Sequence, residues 1–430
     1  ITTALGGPDG GGPWPFADNL DALHKSKLGI NVGFLVGHNV IRKNVIGLEN
    51  RAPTAAELTQ MKENVSAAMQ AGAFGISTGL KYLPGTFSET REVIELSRVA
   101  SGYGGFYTSH LRDEGLGLLS SVREAIVIGK EAGIPVVLTH HKVVGKPMWG
   151  SSVRTLAMVD SARAAGQDVM LDQYPYAASR TGISILIPSW GLEGGSDKFR
   201  ERLADKTTRD RMKREVVVNL INDRGGNDLR RVQLSSVSWN HSLDGKTLYD
   251  WCLLEKMEPT FENGAELVLR AQGSGDTRCI YHAMDEADIV RIMQHPFTAI
   301  ATDGVLTSPE SGPAHPRAYG TFPRVFSKYV RGQGVMTTQE AIRKMTSLPA
   351  ARMGLTDRGV LKEDAFADIV IFDENTIADG NSFEEPHRYP IGIRYVLVNG
   401  QIAVDGDARG QTEAGHVLYG PGRKAQNPGR

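Results

Sequence analysis

"PVVLTHHK", residues 135–142, places an apolar strand pattern directly before two histidines and a lysine. A short run of this kind is typical of a strand that is buried on both faces. One imidazole at its end would be an ordinary core or capping group. Because His140, His141 and Lys142 come together, the stretch indicates a strand whose carboxyl end carries chemistry.

Six more apolar runs have the same character, and each closes on polar residues or glycine. They are ITTALGG (1–7), NVGFLVGH (31–38), AFGISTGLK (73–81), GFYTSH (105–110), DVMLDQY (168–174) and FTAIATDG (297–304). Amphipathic stretches such as 54–72 and 118–133 lie between them. This alternation predicts parallel βαβ units and a (β/α)8 TIM barrel. A (β/α)8 barrel needs eight strands, and only seven runs are present. We expect the missing first strand before Ile1, because the chain begins within a strand pattern.

Two regions depart from the barrel rhythm. The segment from about 183 to 294 is rich in charge and glycine, and it is too long for a barrel connection. We expect it to form a lid over the mouth. After residue 355 short strand patterns follow at 359–373 and 395–406, with a "VNG" hairpin turn. The predicted domains are therefore a barrel over 1–355 with this inserted lid, and the C-terminal half of a small β-sandwich over 356–430.

The composition of the chain limits the classes of partner that it can bind. The chain has 430 residues, 40% of them hydrophobic, and a formal net charge of -1. Balanced charge argues against nucleic acid or an acidic membrane as a partner, and no apolar window is long enough to span a bilayer. Cys252 and Cys279 have no metal-like spacing and suit a reducing cytoplasm. We expect a small-molecule substrate, and a homo-oligomer stays open.

Strand ends supply the candidate site. Catalytic groups of a TIM barrel project from the carboxyl ends of its strands. His110 and His140 end successive strands and Asp303 follows a later one, so their side chains can converge. Neutral imidazole and carboxylate are zinc ligands, and the carboxylate can also take a proton. The pattern predicts a zinc site at His110, His140 and Asp303.

Lys81 and the GISTG motif (75–79) each have two interpretations. Lysine is not normally a metal ligand, but as a carbamate Lys81 would offer two oxygens and could bridge two cations. The alternative is a lysine paired with a carboxylate. GISTG matches the G-x-S-x-G elbow of serine hydrolases, which needs a helix directly after the strand. Pro84 and Gly85 disfavour a helix there.

At these residues the chain resembles a known family. The motifs are TSHLRDEG (108–115), LTHHK (138–142), LDQYPYAASRT (171–181), ATDG (301–304) and HPRAYGTFPR (315–324). Together they resemble the N-acyl-D-amino-acid deacylase (D-aminoacylase) family of the amidohydrolase superfamily. The resemblance implies a metal-dependent TIM barrel with a small β-sandwich. It also implies hydrolysis of the amide bond of N-acyl-D-amino acids or of dipeptides with a D-residue.

The same resemblance implies residue roles. His110 and His140 would bind one or two zinc ions, and Asp303 would act as general base and then general acid. Groups that bind the substrate's carboxylate and polar atoms would be Lys142, Tyr174, Arg180 and Arg317. Arg180 stands where relatives often have serine.

Two departures from the family pattern concern the metal. The His-x-His pair of the family's first strand does not occur, and Asp9 stands nearest the place of a ligating cysteine. We expect a carboxylated Lys81 to replace that thiolate, with Asp9 as the runner-up ligand.

Two other functions remain open. A cyclic amidase of the hydantoinase or dihydroorotase kind could use the same ligands, although HLRDEG and YPYAASRT favour the deacylase. A non-catalytic amidohydrolase-like scaffold would need no zinc, so elemental analysis separates it from an enzyme.

Overall fold

The computed structural model describes residues 1–309, 314–406, 408–410 and 412–423. Its strands, in chain order, are β1 Thr3–Gly6, β2 Asn31–Phe34, β3 Val36–Gly37, β4 Gly75–Gly79, β5 Phe106–His110, β6 Val136–Leu138, β7 Val169–Gln173, β8 Ser179–Gly182, β9 Val232–Val237, β10 Thr277–Tyr281, β11 Thr298–Ile300, β12 Ile369–Phe372, β13 Ile393–Val398, β14 Gln401–Asp405 and β15 Ala408–Arg409.

The α-helices, in the same order, are α1 Phe16–His24, α2 His38–Val45, α3 Ala55–Ala71, α4 Thr90–Gly102, α5 Leu118–Ala132, α6 Ser152–Ala164, α7 Ser189–Leu192, α8 Ser196–Ala204, α9 Lys206–Asn222, α10 Leu248–Leu254, α11 Phe261–Ser274, α12 Glu286–Gln294, α13 Arg317–Arg324, α14 Thr338–Met345 and α15 Ser347–Arg352. A π-helix, Val325–Gly332, continues α13. Within the described ranges, no helix is long and apolar enough to cross a membrane.

Parallel strands form the barrel wall. One sheet has the order β11-β7-β6-β5-β4-β3, and β1 pairs with β2, which leads into β3. All these pairings are parallel, so the carboxyl ends of the strands meet at one mouth. The seven predicted apolar runs are all present as strands, and the prediction of parallel βαβ units is confirmed. Among the described residues, β1 and β11 are the edges of this wall.

Local sequence explains the two helices predicted from periodicity. Helix α3 begins at a capping box, in which Thr54 and Glu57 exchange side-chain and backbone hydrogen bonds, and ends at Gly72 with φ 116°. Helix α5 ends at Gly133 with φ 63°. It buries Val122 in the same apolar core as Val136 of β6. The helix therefore covers the outside of the barrel.

The insertion has a sheet and a core of its own. β8, β10 and β9 pair antiparallel in that order. They pack with α9 to α11 in a cluster centred on Trp251, apart from the barrel core. In contrast, Ile289 and Met293 of α12 pack with Ile300 of β11. The independent unit therefore runs over about 179–281, and α12 belongs with the barrel, although the sequence suggested a lid over 183–294.

The C-terminal strands form a separate antiparallel sheet, β12-β13-β14-β15. Asn399 (φ 47°) and Gly400 (φ 84°) connect β13 to β14, so the predicted "VNG" hairpin is confirmed. The chain then returns to the barrel, where Val417 bridges Val32 and is buried in the barrel core. This return ties the small sheet to the barrel.

Candidate metal centre and substrate cavity

Three side chains converge at the barrel mouth: Asp9, His110 and His140. One ligand atom from each lies within 4.8 Å of the others, and in the part of the chain that the structure describes this is the cluster suited to a metal ion. His110 Nδ1 is 2.9 Å from His140 Nε2, which is 3.2 Å from Asp9 Oδ2. Both histidine rings are about 2% exposed. The predicted convergence of His110 and His140 is present in the structure.

Each of the three is held by the barrel strands. His110 is the last residue of β5, and His140 lies two residues beyond β6. The backbone N–H of His140 donates to Asp172 Oδ1 of β7 at 2.6 Å. Asp9 (φ 58°) and His140 (φ 38°) adopt left-handed backbone conformations, as does Asp303 (φ 45°). Such conformations cost free energy in residues other than glycine and often occur at functional sites.

A buried carboxylate, Glu114, lies behind both rings. Its Oε2 is 3.5 Å from His110 Nε2 and its Oε1 is 3.3 Å from His140 Nδ1. Lys142 Nζ lies 2.6 Å from Glu114 Oε1, and Arg224 pairs with Oε2. Lys142 Nζ is also 2.6 Å from His140 Nδ1. The outer nitrogens of both rings therefore lie against this buried ion pair, and the inner nitrogens face Asp9.

The charges of the cluster oppose the effect of burial. Burial by itself would lower the pKa of His140, but the carboxylate of Asp9 raises it to about 10. Burial lowers the pKa of His110 despite the nearby charge of Glu114. The pKa of Asp9 falls below its usual range because the charges of His140 and His110 outweigh its burial. The two facing imidazoles therefore have pKa values shifted in opposite directions, beside a carboxylate whose pKa is lowered.

These residues fit a zinc ion. Two imidazole nitrogens and a carboxylate oxygen form a donor set that zinc accepts in proteins. The inner nitrogens of His110 and His140 already face one another and Asp9, so one cation between them can be bound by all three side chains. Metal-binding histidines usually have a carboxylate or carbonyl group beside the outer nitrogen, and here the carboxylate of Glu114 lies 3.3–3.5 Å from both outer nitrogens.

A cavity of about 490 Å³ opens beside this cluster. Predicted site residues that line it are Asp9, His110, His140, Lys142, Tyr174, Arg180, Asp303 and Arg317. The Tyr174 ring has Lys142 Nζ at 5.6 Å and the guanidinium carbon of Arg317 at 4.7 Å from its centroid. Its buried hydroxyl has no hydrogen-bond partner within the described structure. An unpartnered buried hydroxyl at a cavity wall is suited to a polar ligand.

Asp303 lies in the cavity but outside the histidine cluster. Its Oδ2 is 2.7 Å from Arg317 Nη1, and the carboxylate is about one-quarter exposed. Its ligand atoms are not part of the three-residue cluster. The arrangement is suited to a carboxylate that exchanges protons with a bound molecule.

Lys81 is not brought to the cluster. Its Nζ lies 3.4 Å from Asp223 Oδ2, and its side chain lines a neighbouring cavity of about 420 Å³. This contact matches the alternative interpretation, a lysine paired with a carboxylate. The geometry favours the runner-up, Asp9, as the third ligand, while the carbamate on Lys81 stays a prediction.

Ser77 does not form a nucleophile elbow. It lies inside β4, is fully buried, and donates from Oγ to the Gly7 carbonyl at 2.6 Å. The Gly10 N–H in turn donates to Ser77 Oγ at 3.2 Å. The motif instead holds the loop that carries Asp9.

Sequence reasoning missed Glu114, Asp172 and Arg224. Burial raises the pKa of Asp172 to about 6, even though its bond to the His140 N–H acts in the opposite direction. Glu114 and Asp172 do fall within HLRDEG and LDQY, so their proximity to the strand ends was a usable signal. Arg224 lies in the insertion, after α9, and no local sequence pattern identifies it as a site residue.

The chain is similar to known proteins in sequence and in structure. A model of the Amidohydrolase family matches residues 265–404. A D-aminoacylase from Alcaligenes xylosoxydans xylosoxydans is 37% identical over 403 residues, which cover 94% of this chain and 73% of that protein. The crystal structure of an N-acyl-D-glutamate deacylase from Bordetella bronchiseptica, complexed with zinc and a phosphonate inhibitor, is 32% identical with a TM-score of 0.80. That match covers 97% of this chain and 82% of the other.

A more distant likeness concerns the fold alone. A dihydropyrimidinase from Brevibacillus agri has a TM-score of 0.53 at 11% identity, over 98% of this chain and 80% of that one. The shared barrel fold is therefore the support that this likeness gives to the cyclic-amidase alternative. The deacylase relatives are similar in sequence along nearly the whole chain. The chain belongs to the D-aminoacylase (N-acyl-D-amino-acid deacylase) family of amidohydrolases.

Proposed function

We propose that this protein hydrolyses the amide bond of N-acyl-D-amino acids, or of dipeptides with a D-residue, and releases a free amino acid. The observation that carries the proposal is the convergence of Asp9, His110 and His140 at the mouth of a cavity that also holds Asp303. Relatives named D-aminoacylase and N-acyl-D-glutamate deacylase support the substrate class.

Asp9, His110 and His140 would hold one zinc ion. When bound, zinc supplies Lewis-acid chemistry, since it lowers the pKa of a water molecule and polarises a carbonyl group. Glu114 would place a negative charge behind the outer nitrogen of each ring, 3.5 Å from His110 Nε2 and 3.3 Å from His140 Nδ1, so the inner nitrogens stay directed at the ion. We propose Asp9 rather than carboxylated Lys81 as the third ligand, because Lys81 is engaged with Asp223.

Asp303 would move the proton. Arg317 holds Oδ2 of this carboxylate, which leaves its other oxygen to accept a proton from the attacking water. The same carboxyl group would then protonate the departing amine, which is too basic to leave as an anion. Proton removal and return by one group requires no other acid in the cavity.

The substrate's α-carboxylate would bind near Tyr174. Its buried hydroxyl is free to donate a hydrogen bond, and burial raises the pKa of Tyr174 well above its usual value, so the proton stays in place. Lys142 and Arg317 flank the ring and add positive charge. Fixing the carboxylate in this way determines which face of the amide meets the water.

We also propose a cytoplasmic location. Cys252 and Cys279 are both buried and unbridged, which suits a reducing compartment.

The test measures amine release from N-acetyl-D-amino acids and their L-enantiomers, with zinc content measured on the same sample. We expect D-selective turnover that a chelator abolishes and zinc restores. His140→Asn should lose zinc and activity together, whereas His141→Asn is a matched control. His141 is the next residue, but its Nε2 contacts Thr155 rather than the cluster. A zinc-free protein without turnover would identify a scaffold, and chelator-resistant turnover would contradict the proposal.

A further inference from the structure

The cavity has a second cationic region, formed by Arg180 and Arg278. Arg180 lies on β8 opposite Ile280 of β10, and Arg278 lies opposite Gly182. Because side chains two residues apart leave the same face of a strand, both arginines project from one face of this sheet. Both line the cavity. The part of the cavity wall that the insertion forms is therefore positively charged.

Among the described residues, Arg180 is the cation at this cavity that has no acidic partner. Its Nε donates to Ser235 Oγ at 3.0 Å. Within the described residues, no carboxylate oxygen lies within 4.0 Å of its guanidinium nitrogens, so the side chain forms no ion pair there. Every other lysine or arginine that lines the cavity has such a partner. The pairs are Arg278 with Asp276, Arg317 with Asp303, and both Lys142 and Arg224 with Glu114.

The surroundings of Arg180 make an anion favourable there. It is half-buried, and burial together with the charges of Arg278 and Arg317 lowers its pKa, although the more distant carboxylate of Asp276 acts in the opposite direction. A guanidinium remains charged in proteins, so the free energy is recovered by binding an anion rather than by losing a proton. Its planar fork matches a carboxylate, and Ser235 holds Nε while the terminal nitrogens stay available.

We propose that Arg180 receives a second carboxylate of the substrate, so that the preferred substrates are N-acyl amino acids with two carboxylates. This deepens the proposed function and rests on it. The α-carboxylate would bind beside Tyr174, between Lys142 and Arg317, whereas the second would reach the strand that the insertion supplies. That second carboxylate can belong to the amino-acid side chain or to the acyl group.

The experiment compares substrates that differ by one charge. N-acetyl-D-glutamate against N-acetyl-D-glutamine tests a side-chain carboxylate, and N-succinyl-D-alanine against N-acetyl-D-alanine tests an acyl carboxylate. A charge-assisted hydrogen bond predicts that one diacid exceeds its neutral counterpart by about 10- to 100-fold in kcat/KM. Arg180→Met should reduce that ratio to near unity by raising KM for the diacid, and Arg180→Lys should keep part of it.

Arg211→Met is the control, because it removes the same charge from the insertion but pairs with Glu215 away from the cavity. Circular dichroism checks that each variant is folded. Equal rates for charged and neutral substrates would overturn the proposal. So would an equal loss on all substrates in Arg180→Met, since Arg180 would then bind the common α-carboxylate.

Turnover of neutral substrates without a diacid preference leaves the proposed function intact, whereas no turnover at all counts against that function. If there is no turnover, the role of Arg180 can still be tested by calorimetry, which measures the binding of D-glutamate, D-glutamine and N-succinyl-D-alanine to the zinc-loaded protein. Tighter binding of the diacids in the wild type than in Arg180→Met supports the second carboxylate site. Equal binding in both proteins overturns it.

Discussion

As the proposed third ligand, Asp9 would determine what kind of metal site this chain forms. It offers oxygen in the place where the family resemblance implies a thiolate, and it directly contacts His140. An oxygen ligand is harder than sulfur, and it leaves more positive charge on a bound ion. The identity of this one side chain therefore affects both the affinity for zinc and the acidity that zinc can give to water.

The competing ligand assignments can be separated by two substitutions. Asp9→Asn should lower zinc affinity by more than the roughly 10- to 100-fold usual for outer-shell contacts, because it removes a charge that directly faces the ion. Lys81→Met should leave zinc affinity nearly unchanged, since Lys81 pairs with Asp223. Competition with a chromophoric chelator measures both. Loss of zinc in Lys81→Met with retention in Asp9→Asn would instead establish the carbamate.

Glu114 links the histidine pair to two buried cations. Glu114→Gln should destabilise the fold by about 3–5 kcal/mol, because Lys142 and Arg224 would lose their shared buried counter-charge. It should also weaken zinc binding by roughly 10- to 100-fold through the outer histidine nitrogens.

Denaturant unfolding and zinc competition measure the two effects of this change. Glu124→Gln is the control, since Glu124 lies on α5 and pairs with Arg112 outside the cluster. A variant that loses stability but keeps full zinc affinity would show that Glu114 acts on the fold alone.

At the scale of elements, β4 determines where the Asp9 loop lies. A Cβ atom on Gly79 would be 2.1 Å from the Asp9 carbonyl oxygen, and one on Gly75 would be 1.9 Å from the carbonyl oxygen of Phe106. The glycines of GISTG thus allow two close backbone approaches, while Ser77 bonds the same loop at Gly7. Gly75, Ser77 and Gly79 of this motif therefore each have a structural role.

Gly79→Ala should therefore affect the metal site without touching a ligand side chain. The clash must move the Asp9 backbone, so we expect a loss of about 1–3 kcal/mol of stability together with weaker zinc binding. Gly102→Ala, at the end of α4, is the control, because a Cβ there meets nothing within 4 Å. Unchanged zinc affinity in Gly79→Ala would show that the loop position does not control the site.

For the whole molecule, the candidate site joins parts that are far apart in sequence. Asp9 follows β1, His110 and His140 end strands of the parallel wall, and Arg224 comes from the insertion with a core of its own. A ligand at this point should therefore stabilise the barrel and the insertion together.

Zinc should raise the free energy of unfolding by mass action. At a free zinc concentration 100-fold above Kd, one site contributes about 2.7 kcal/mol. We expect a higher Tm with zinc, reversal by a chelator, and no shift in His140→Asn, with differential scanning calorimetry as the measurement. A Tm independent of zinc in the wild type would mean that the cluster does not bind the ion.

The sequence by itself determined the parallel barrel and the convergence of His110 and His140, whereas Asp303, predicted as a third zinc ligand, lines the cavity outside the cluster. Strand periodicity and polar strand ends are local properties, and parallel strands necessarily bring their carboxyl ends to one mouth. Only the tertiary structure decided that Asp9 rather than Lys81 approaches the histidines, because loop position depends on long-range contacts such as that of Ser77 with Gly7. The ion pairs of Glu114, and the absence of a carboxylate partner for Arg180 within the described ranges, have the same cause, since ion pairing depends on distances between remote segments.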